Sequence, residues 1–211
     1  MSHFSATIRQ LIAALRGWVI FTIICGLVYP LVVFGIAQLA FPHQANGSLV
    51  TYHGRIVGSS LLCQEFTNAK GQPLPQYFQP RPSASAVSAT SGTGGCNPLA
   101  SGASNLGPSN PVLARDIRAR QRQISRFDHV PVAAIPPDAV TTSGSGLDPY
   151  ISPQNAAIQA GRVAAARHIG LAAVLALVRR YTQGRVIGIL GEPRVNVLLL
   201  NIALDKRYPV R

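Results

Sequence analysis

Acidic side chains are scarce in this chain of 211 residues: seven Asp and Glu stand against nineteen Lys and Arg, for a formal net charge of +12. The carboxylates do not cluster, so the sequence offers no acidic cage for a cation, and a cation near so basic a surface gains nothing from the mean field. No G-x-x-x-x-G-K-[ST] phosphate loop occurs, which argues against an ATPase acting alone. Ser143-Gly144-Ser145-Gly146-Leu147-Asp148 lacks the third glycine of a dinucleotide loop and reads as a tight turn, with Asp148-Pro149 favouring turn initiation. There is neither a G-x-S-x-G elbow nor an H-E-x-x-H pair, and the five histidines are scattered singly, so no catalytic residue is assigned. His53 and His168 read as surface or packing residues. The three cysteines show no CxxC or Cys/His spacing, which excludes a zinc site and leaves no metal ligands to name. RNP-like and interleaved aromatic patterns are missing as well, so nucleic acid is not an expected partner.

Apolar length, by contrast, is plentiful. Trp18 to Phe41 is a run of 24 residues without a charge; at a helical rise of ~1.5 Å it reaches ~36 Å, against a hydrocarbon core of ~30 Å. Fourteen of its residues are Leu, Ile, Val or Phe. Their insertion gain of roughly 4 to 8 kcal/mol outweighs Pro30, Gln38 and the glycines. A cleaved signal has an apolar core of about 7 to 15 residues, whereas this run passes the small-residue site Gly35-Ile36-Ala37 and continues through Leu39 and Phe41. A retained anchor is expected. Arg9 and Arg16 precede the run and no Lys or Arg follows it until Arg55. The expected division is therefore a cytoplasmic terminus at 1–17, an inner-membrane span at 18–41 and an external, periplasmic domain at 42–211. Trp18, beside Arg16, marks the inner boundary. Within the span Thr22, Gly26 and Pro30 recur every four residues, and Pro30 frees the carbonyl of Gly26. That strip either packs a partner helix or reflects how common Gly and Pro are in membrane helices.

Residues 42–211 suffice to bury one ordinary core. They carry fifteen Arg and two Lys against all seven carboxylates, hence +10. Outside a membrane the complements of such a surface are anionic lipid headgroups or an acidic partner. Cys63 and Cys96 either remain free or form a bridge closing a loop of about 30 residues, worth roughly 3 to 4 kcal/mol in the chain-entropy picture.

After a turn at Asn46-Gly47-Ser48, residues 49–58 read as a β-hairpin about a glycine turn. Residues 80–111 and 130–152 are long loops rich in small and turn-forming residues, and loops of that length are candidate contact surfaces. Between them Asn110 caps a helix that opens at Pro111 and runs to Phe127. Leu113, Ile117, Ile124 and Phe127 share one face of it, and Arg115, Arg118, Arg122 and Arg126 the opposite one. The arginine stripe is either a solvated face or a docking surface. Ser152-Pro153 opens an alanine-rich helix ending at Gly170, and Leu171, Val174, Leu175 and Val178 define another ending at Gly184. Residues 186–190, a Gly191-Glu192-Pro193 turn and residues 194–204, where Val195, Val197 and Leu199 alternate, predict a terminal hairpin. The fold class is thus an α+β external domain with one N-terminal transmembrane helix. Arg81 and Arg194 sit among turn residues, where each serves as a guanidinium hub for several carbonyls or touches a partner directly.

Five motifs carry a family resemblance: Gln64-Glu65-Phe66; Tyr77-Phe78-Gln79-Pro80-Arg81-Pro82-Ser83-Ala84; the run from Ser101 through Ser104, Asn105 and Asn110 to Pro111; the run from Ser143 through Asp148 to Pro153; and Leu190-Gly191-Glu192-Pro193-Arg194-Val195-Asn196-Val197. In order and spacing, with one amino-terminal span, they resemble the C subunit of the Kdp potassium-transporting ATPase over nearly the whole chain. Ala103 and Cys63 stand where that family usually has glycine, and the loop between Ala84 and Ser101 is longer than usual. The resemblance implies a non-catalytic accessory subunit beside an ATP-hydrolysing P-type subunit and a potassium-channel-like subunit, with ATP and potassium handled by the complex and no cofactor of its own. Membrane lipid is the remaining expected partner. The family carries two mechanisms. In one the subunit is a catalytic chaperone that raises ATP affinity, its residues 101–105 being compared with an ABC signature loop; an external location opposes such contact. In the other it stabilises the complex and covers the external potassium entrance. On the residues alone, the rival is a membrane-anchored external binding module or enzyme acting alone. Expected partner-facing or structural positions are Gly26, Pro30, Gln64, Phe66, Arg81, Ser83, Ser104, Asn105, Asn110, Asp148, Glu192, Arg194 and Asn196.

Overall fold

The structure, a computed structural model, describes residues 2–84 and 96–210. Contacts divide the chain between Ser48 and Leu49 into two compact units.

The amino-terminal unit is helical. Helix α1 (Ser2–Ile23) passes through one π-helical turn (Ile24–Val28) into α2 (Tyr29–Ala40), and a short α3 (Pro42–Ala45) follows. The segment Ala6–Ala40 is long and apolar enough to cross a membrane, and none of its most apolar window is buried within the chain. Its helix begins well ahead of Trp18. The π turn lies just before Pro30, whose ring cannot accept the regular pattern and has no N–H to give Gly26. The Tyr29 N–H reaches back five residues to the Ile24 carbonyl instead. At the far end Asn46 donates to Gln38 Oε1 (3.1 Å) and to the Pro42 carbonyl (2.6 Å), and Gly47 and Ser48 adopt positive φ in the expected turn.

The larger unit opens with β1 (Leu49–Tyr52) and β2 (Arg55–Ser59), an antiparallel pair turned by His53 and Gly54 at φ 49° and 75°. Positive φ at both turn positions matches the twist of the flanking strands. Helix α4 (Pro111–Asp128) starts as expected, the Asn110 side chain accepting from the Val112 N–H. Its four apolar positions are half-buried and its four stripe arginines exposed. The expected loop at 130–152 contains a 3₁₀ turn (Val132–Ala134), helix α5 (Pro137–Val140) and the start of β3 (Tyr150–Ile151).

Helix α6 (Pro153–Ala166) is capped by Ser152, whose hydroxyl accepts from the Asn155 N–H. It ends before Gly170: His168 takes the left-handed position (φ 55°), and Gly170 caps α7 (Leu171–Tyr181) instead. Helix α7 in turn stops short of Gly184, where β4 (Thr182–Gln183) pairs with β5 (Arg194–Asn196); β3 pairs with the other edge of β5. Against these short strands α6, α7 and α8 (Val197–Arg207) enclose a core of Phe78, Ile151, Ala160, Val163, Val174, Val195, Leu200 and Leu204.

The expected terminal hairpin is corrected. Residues 186–190 form a tight loop with a single bridge between Val186 and Leu190, and the second strand ends after three residues. Asn196 accepts from the Leu199 N–H and starts α8. The alternation at 195–199 misleads because α8 is buried nearly all round, and a helix with no polar face lacks the 3.6-residue signature.

Candidate functional site

The loop at 143–149 is the seam of the larger unit. Its carbonyls point outward from the turn and are taken by distant segments: Ser145 O by Gly102 N and Ser101 Oγ (both 2.9 Å), Gly146 O by Ser83 Oγ (2.7 Å), and Leu147 O by Cys63 N (2.9 Å). Gly146 (φ 71°) supplies the left-handed turn that exposes them. Ser143 N donates to Pro82 O, and Thr142 Oγ1 donates to Ser104 Oγ at 3.3 Å. Asp148 binds both ways, accepting from its own Tyr150 N–H (3.0 Å) and from Arg81 (3.1 Å). Cys63 and Cys96 form a disulfide, with Cα atoms 5.9 Å apart, which ties the far end of the intervening loop to the seam. Three of the five motifs and Cys63, next to a fourth, therefore meet at one place.

A second layer holds the segment from Pro75 to Arg81. Asn201, fully buried, accepts from Phe78 N and donates to Phe78 O, both at 2.9 Å. Gln159 does the same for Gln79, at 2.8 and 3.1 Å. Arg162 donates to the carbonyls of Pro75 and Tyr77 and pairs with Asp128 at 2.7 Å, both side chains 5% exposed. Arg167 donates to Gln76 O, Tyr208 O and Asp205, each at 2.7 Å. Side-chain amides and guanidiniums thus satisfy the backbone groups of this turn-and-coil segment, which pairs with no strand among the described residues. Burial pushes the Asp128 carboxyl up and the Arg162 guanidinium down from their ordinary values, and each partner's charge offsets part of that.

None of Gln159, Arg162, Arg167 or Asn201 is among the positions expected from the sequence. Arg162 and Arg167 form the carbonyl hubs expected of Arg81 and Arg194. The available signal was Asn155, Gln159 and Arg162 at positions i, i+4 and i+7 on one face of an alanine-rich helix. Arg81 makes only its ion pair with Asp148, and its Nε is buried without a partner among the described residues. Arg194 is exposed, lies 4.1 Å over the Tyr150 ring and donates to Gln183 Oε1 at 3.3 Å.

The remaining expected positions scatter. Phe66 packs on the core and lies 5.1 Å from the Tyr77 ring. Gln64 lies over Gly58: a Cβ there would come within 2.5 Å of its Oε1 and 3.0 Å of Leu198, so Gln64 would have to turn aside. Asn105 occupies a left-handed turn (φ 52°), a conformation Asn tolerates. Asn110 is a helix cap. Asn196 donates to Ser60 O at 2.8 Å and ties the end of β2 to the start of α8. Glu192 is exposed and pairs with Arg185 at 3.0 Å. Gly26 and Pro30 belong to the other unit, where the space over Gly26 is open apart from Thr22.

A cleft of about 130 Å³ opens between α4 and α6, lined by Glu65, Gln79, Arg81, Arg120, Phe127 and Arg162. Its guanidiniums are largely spent: Arg81 on Asp148, Arg120 on Val140 O and Arg162 on Asp128. Desolvation raises the Glu65 carboxyl above its ordinary value, and a hydrogen bond from the Cys96 backbone lowers it in part.

Comparison with known proteins agrees with the motif pattern. Residues 11–206 match the family described as KdpC: K+-transporting ATPase, c chain. The chain is 46% identical to the potassium-transporting ATPase KdpC subunit of Methylococcus capsulatus, over 97% of this chain and 98% of the relative. It is 50% identical to that of Sorangium cellulosum, over 88% and 92%, and 46% identical to that of Rhodospirillum rubrum, over 96% and 98%.

Proposed function

Because the chain belongs to the KdpC family, the c chain of the K+-transporting ATPase, we infer that it is an accessory, non-catalytic subunit of an ATP-driven potassium importer. One helix holds it in the inner membrane, and the larger unit is an external assembly body. The observation that carries this reading is the inward use of the family-like motifs. Ser83, Ser101 and Gly102 spend their donors on the backbone at 145–146, and Arg81 pairs with Asp148 of the same loop. Polar groups arranged this way make a stiff body rather than a reaction centre.

On this reading a P-type subunit hydrolyses ATP, a channel-like subunit conducts potassium, and this chain binds neither by itself. Arg9 and Arg16 before the span, with no Lys or Arg after it until Arg55, support a cytoplasmic amino terminus. Any rise in ATP affinity then passes through assembly and not through contact. In support, two donors of the run compared with an ABC signature loop, the Gly102 N–H and Ser101 Oγ, already donate to Ser145 O.

The test is reconstitution. Potassium-dependent ATPase activity should be lost when this chain is left out of the assembly and return when it is added, while the purified chain hydrolyses nothing. Hydrolysis by the chain alone, abolished by Asp148→Asn, would make it an enzyme in its own right. For topology, Ser109→Cys in a Cys25→Ser background places a thiol at an exposed turn. It should react with an impermeant reagent in intact cells; labelling only after lysis reverses the orientation and restores direct nucleotide contact.

A further inference from the structure

Strands β4 and β5 form an antiparallel pair whose connection, Gly184 to Pro193, projects as a finger. Every residue from Gln183 to Arg194 is exposed. At the tip Val186, Ile187, Ile189 and Leu190 are 61%, 80%, 73% and 58% exposed, four large aliphatic side chains within five positions. Large aliphatic side chains exposed singly are ordinary, but four of them concentrated in one turn mark a contact.

The finger has a set shape. Val186 N donates to Leu190 O (2.8 Å) and Leu190 N donates back to Val186 O (3.0 Å), while Gly188 N donates to Arg185 O (3.1 Å). Arg185 and Glu192 pair across its base at 3.0 Å. Ile187 sits at φ 48°, a conformation a β-branched residue avoids, and Gly188 beside it and Gly191 further on both have φ 80°. In the sequence from 179 to 194 the exposed Arg179, Arg180, Arg185 and Arg194 outnumber the one carboxylate, Glu192.

We propose that this finger is a preformed knob that docks into an apolar, carboxylate-rimmed recess on another subunit of the same ATPase. The proposal rests on the accessory-subunit reading and adds the contact that reading lacks. A lipid surface rewards apolar area without asking for shape, and interfacial anchors are typically Trp or Tyr. This finger has neither, and the only Trp of the chain is Trp18. A protein recess rewards a backbone that is already locked, because less freedom is lost on binding. A second copy of this chain would bring an equally basic base against its own, which argues against self-pairing.

The test uses the full chain, co-expressed with the companion subunits and recovered in gentle detergent through a tag on the ATP-hydrolysing subunit. Ile189→Asp and Ile187→Asn, the latter keeping a residue that tolerates positive φ, should each lower recovery at least about tenfold, with melting of the purified chain unchanged. If wild-type chain is not recovered, the accessory-subunit reading fails. If wild-type and both variants are recovered equally, the finger inference alone is overturned. Ile189→Cys in the Cys25→Ser background, labelled with an environment-sensitive dye, should shift to shorter emission only when the companion subunits are present. A shift in liposomes holding this chain alone would assign the knob to lipid, and a shift rising with chain concentration in detergent would assign it to a second copy; either result overturns the proposal.

Discussion

The loop at 143–149 and the finger at 184–193 are both glycine-rich turns, yet the fold treats them oppositely. The first gives its carbonyls to four remote donors and ties the larger unit together. The second satisfies only its own backbone and leaves its aliphatic side chains in solvent. A turn whose polar groups are used inward contributes stability, and a turn whose apolar groups face outward contributes contact. The seam and its clamps should therefore fail in melting experiments, and the finger in assembly experiments.

The largest effect tests the clamp behind the seam. Arg162→Ala leaves Asp128 buried without its partner and two carbonyls without donors, and should cost roughly 3 to 5 kcal/mol. Melting of the full chain in detergent measures it; near-wild-type melting would mean the clamp does not hold residues 75–81. Ser83→Ala comes next. It leaves Gly146 O without its buried hydroxyl donor, at a cost of about 1 to 3 kcal/mol in chemical denaturation, and a neutral result would show that water replaces the bond.

Arg194→Lys lies at the foot of the finger. The residue is exposed, so losing its stack on Tyr150 should cost only about 0.5 kcal/mol. A drop of several degrees in melting would move Arg194 to the seam side of the comparison. Glu65→Gln gives the smallest signal and depends on pH. The raised carboxyl of folded Glu65 means that, as pH falls toward the ordinary value of 4.5, the folded chain takes up a proton before the unfolded chain and gains stability. The variant should thus melt slightly above wild type at pH 7.5 and lose that advantage by pH 4.5. A difference that grows on acidification would reverse the sign argued for Glu65.

Legibility followed how local each feature is. The caps at Asn110 and Ser152, the His53-Gly54 turn and the two-faced α4 are decided within a few residues, and all are present. The Cys63 to Cys96 bridge was open on sequence grounds and is formed. Helix α8 was misread because burial on every side removes the period that reveals a helix, and Asn196 carried a cap signal that the apparent alternation of its neighbours obscured. The motif residues were visible as motifs, but their use was not. Ser83 and Gly146 lie 63 positions apart, and nothing in either segment says that a hydroxyl of one meets a carbonyl of the other.

By itself the sequence determined the apolar length of the amino-terminal helix, the capped starts of α4 and α6, the basic composition and the family pattern, because hydropathy, cap chemistry and turn preference act over one or two helical turns. Tertiary structure decided which turn became the seam and which the finger, that Arg162 and Arg167 rather than Arg81 and Arg194 hold the backbone, and that the last segment is a helix. Each of those outcomes depends on which groups lose water on folding, and desolvation is a property of the packed chain, not of any segment read alone.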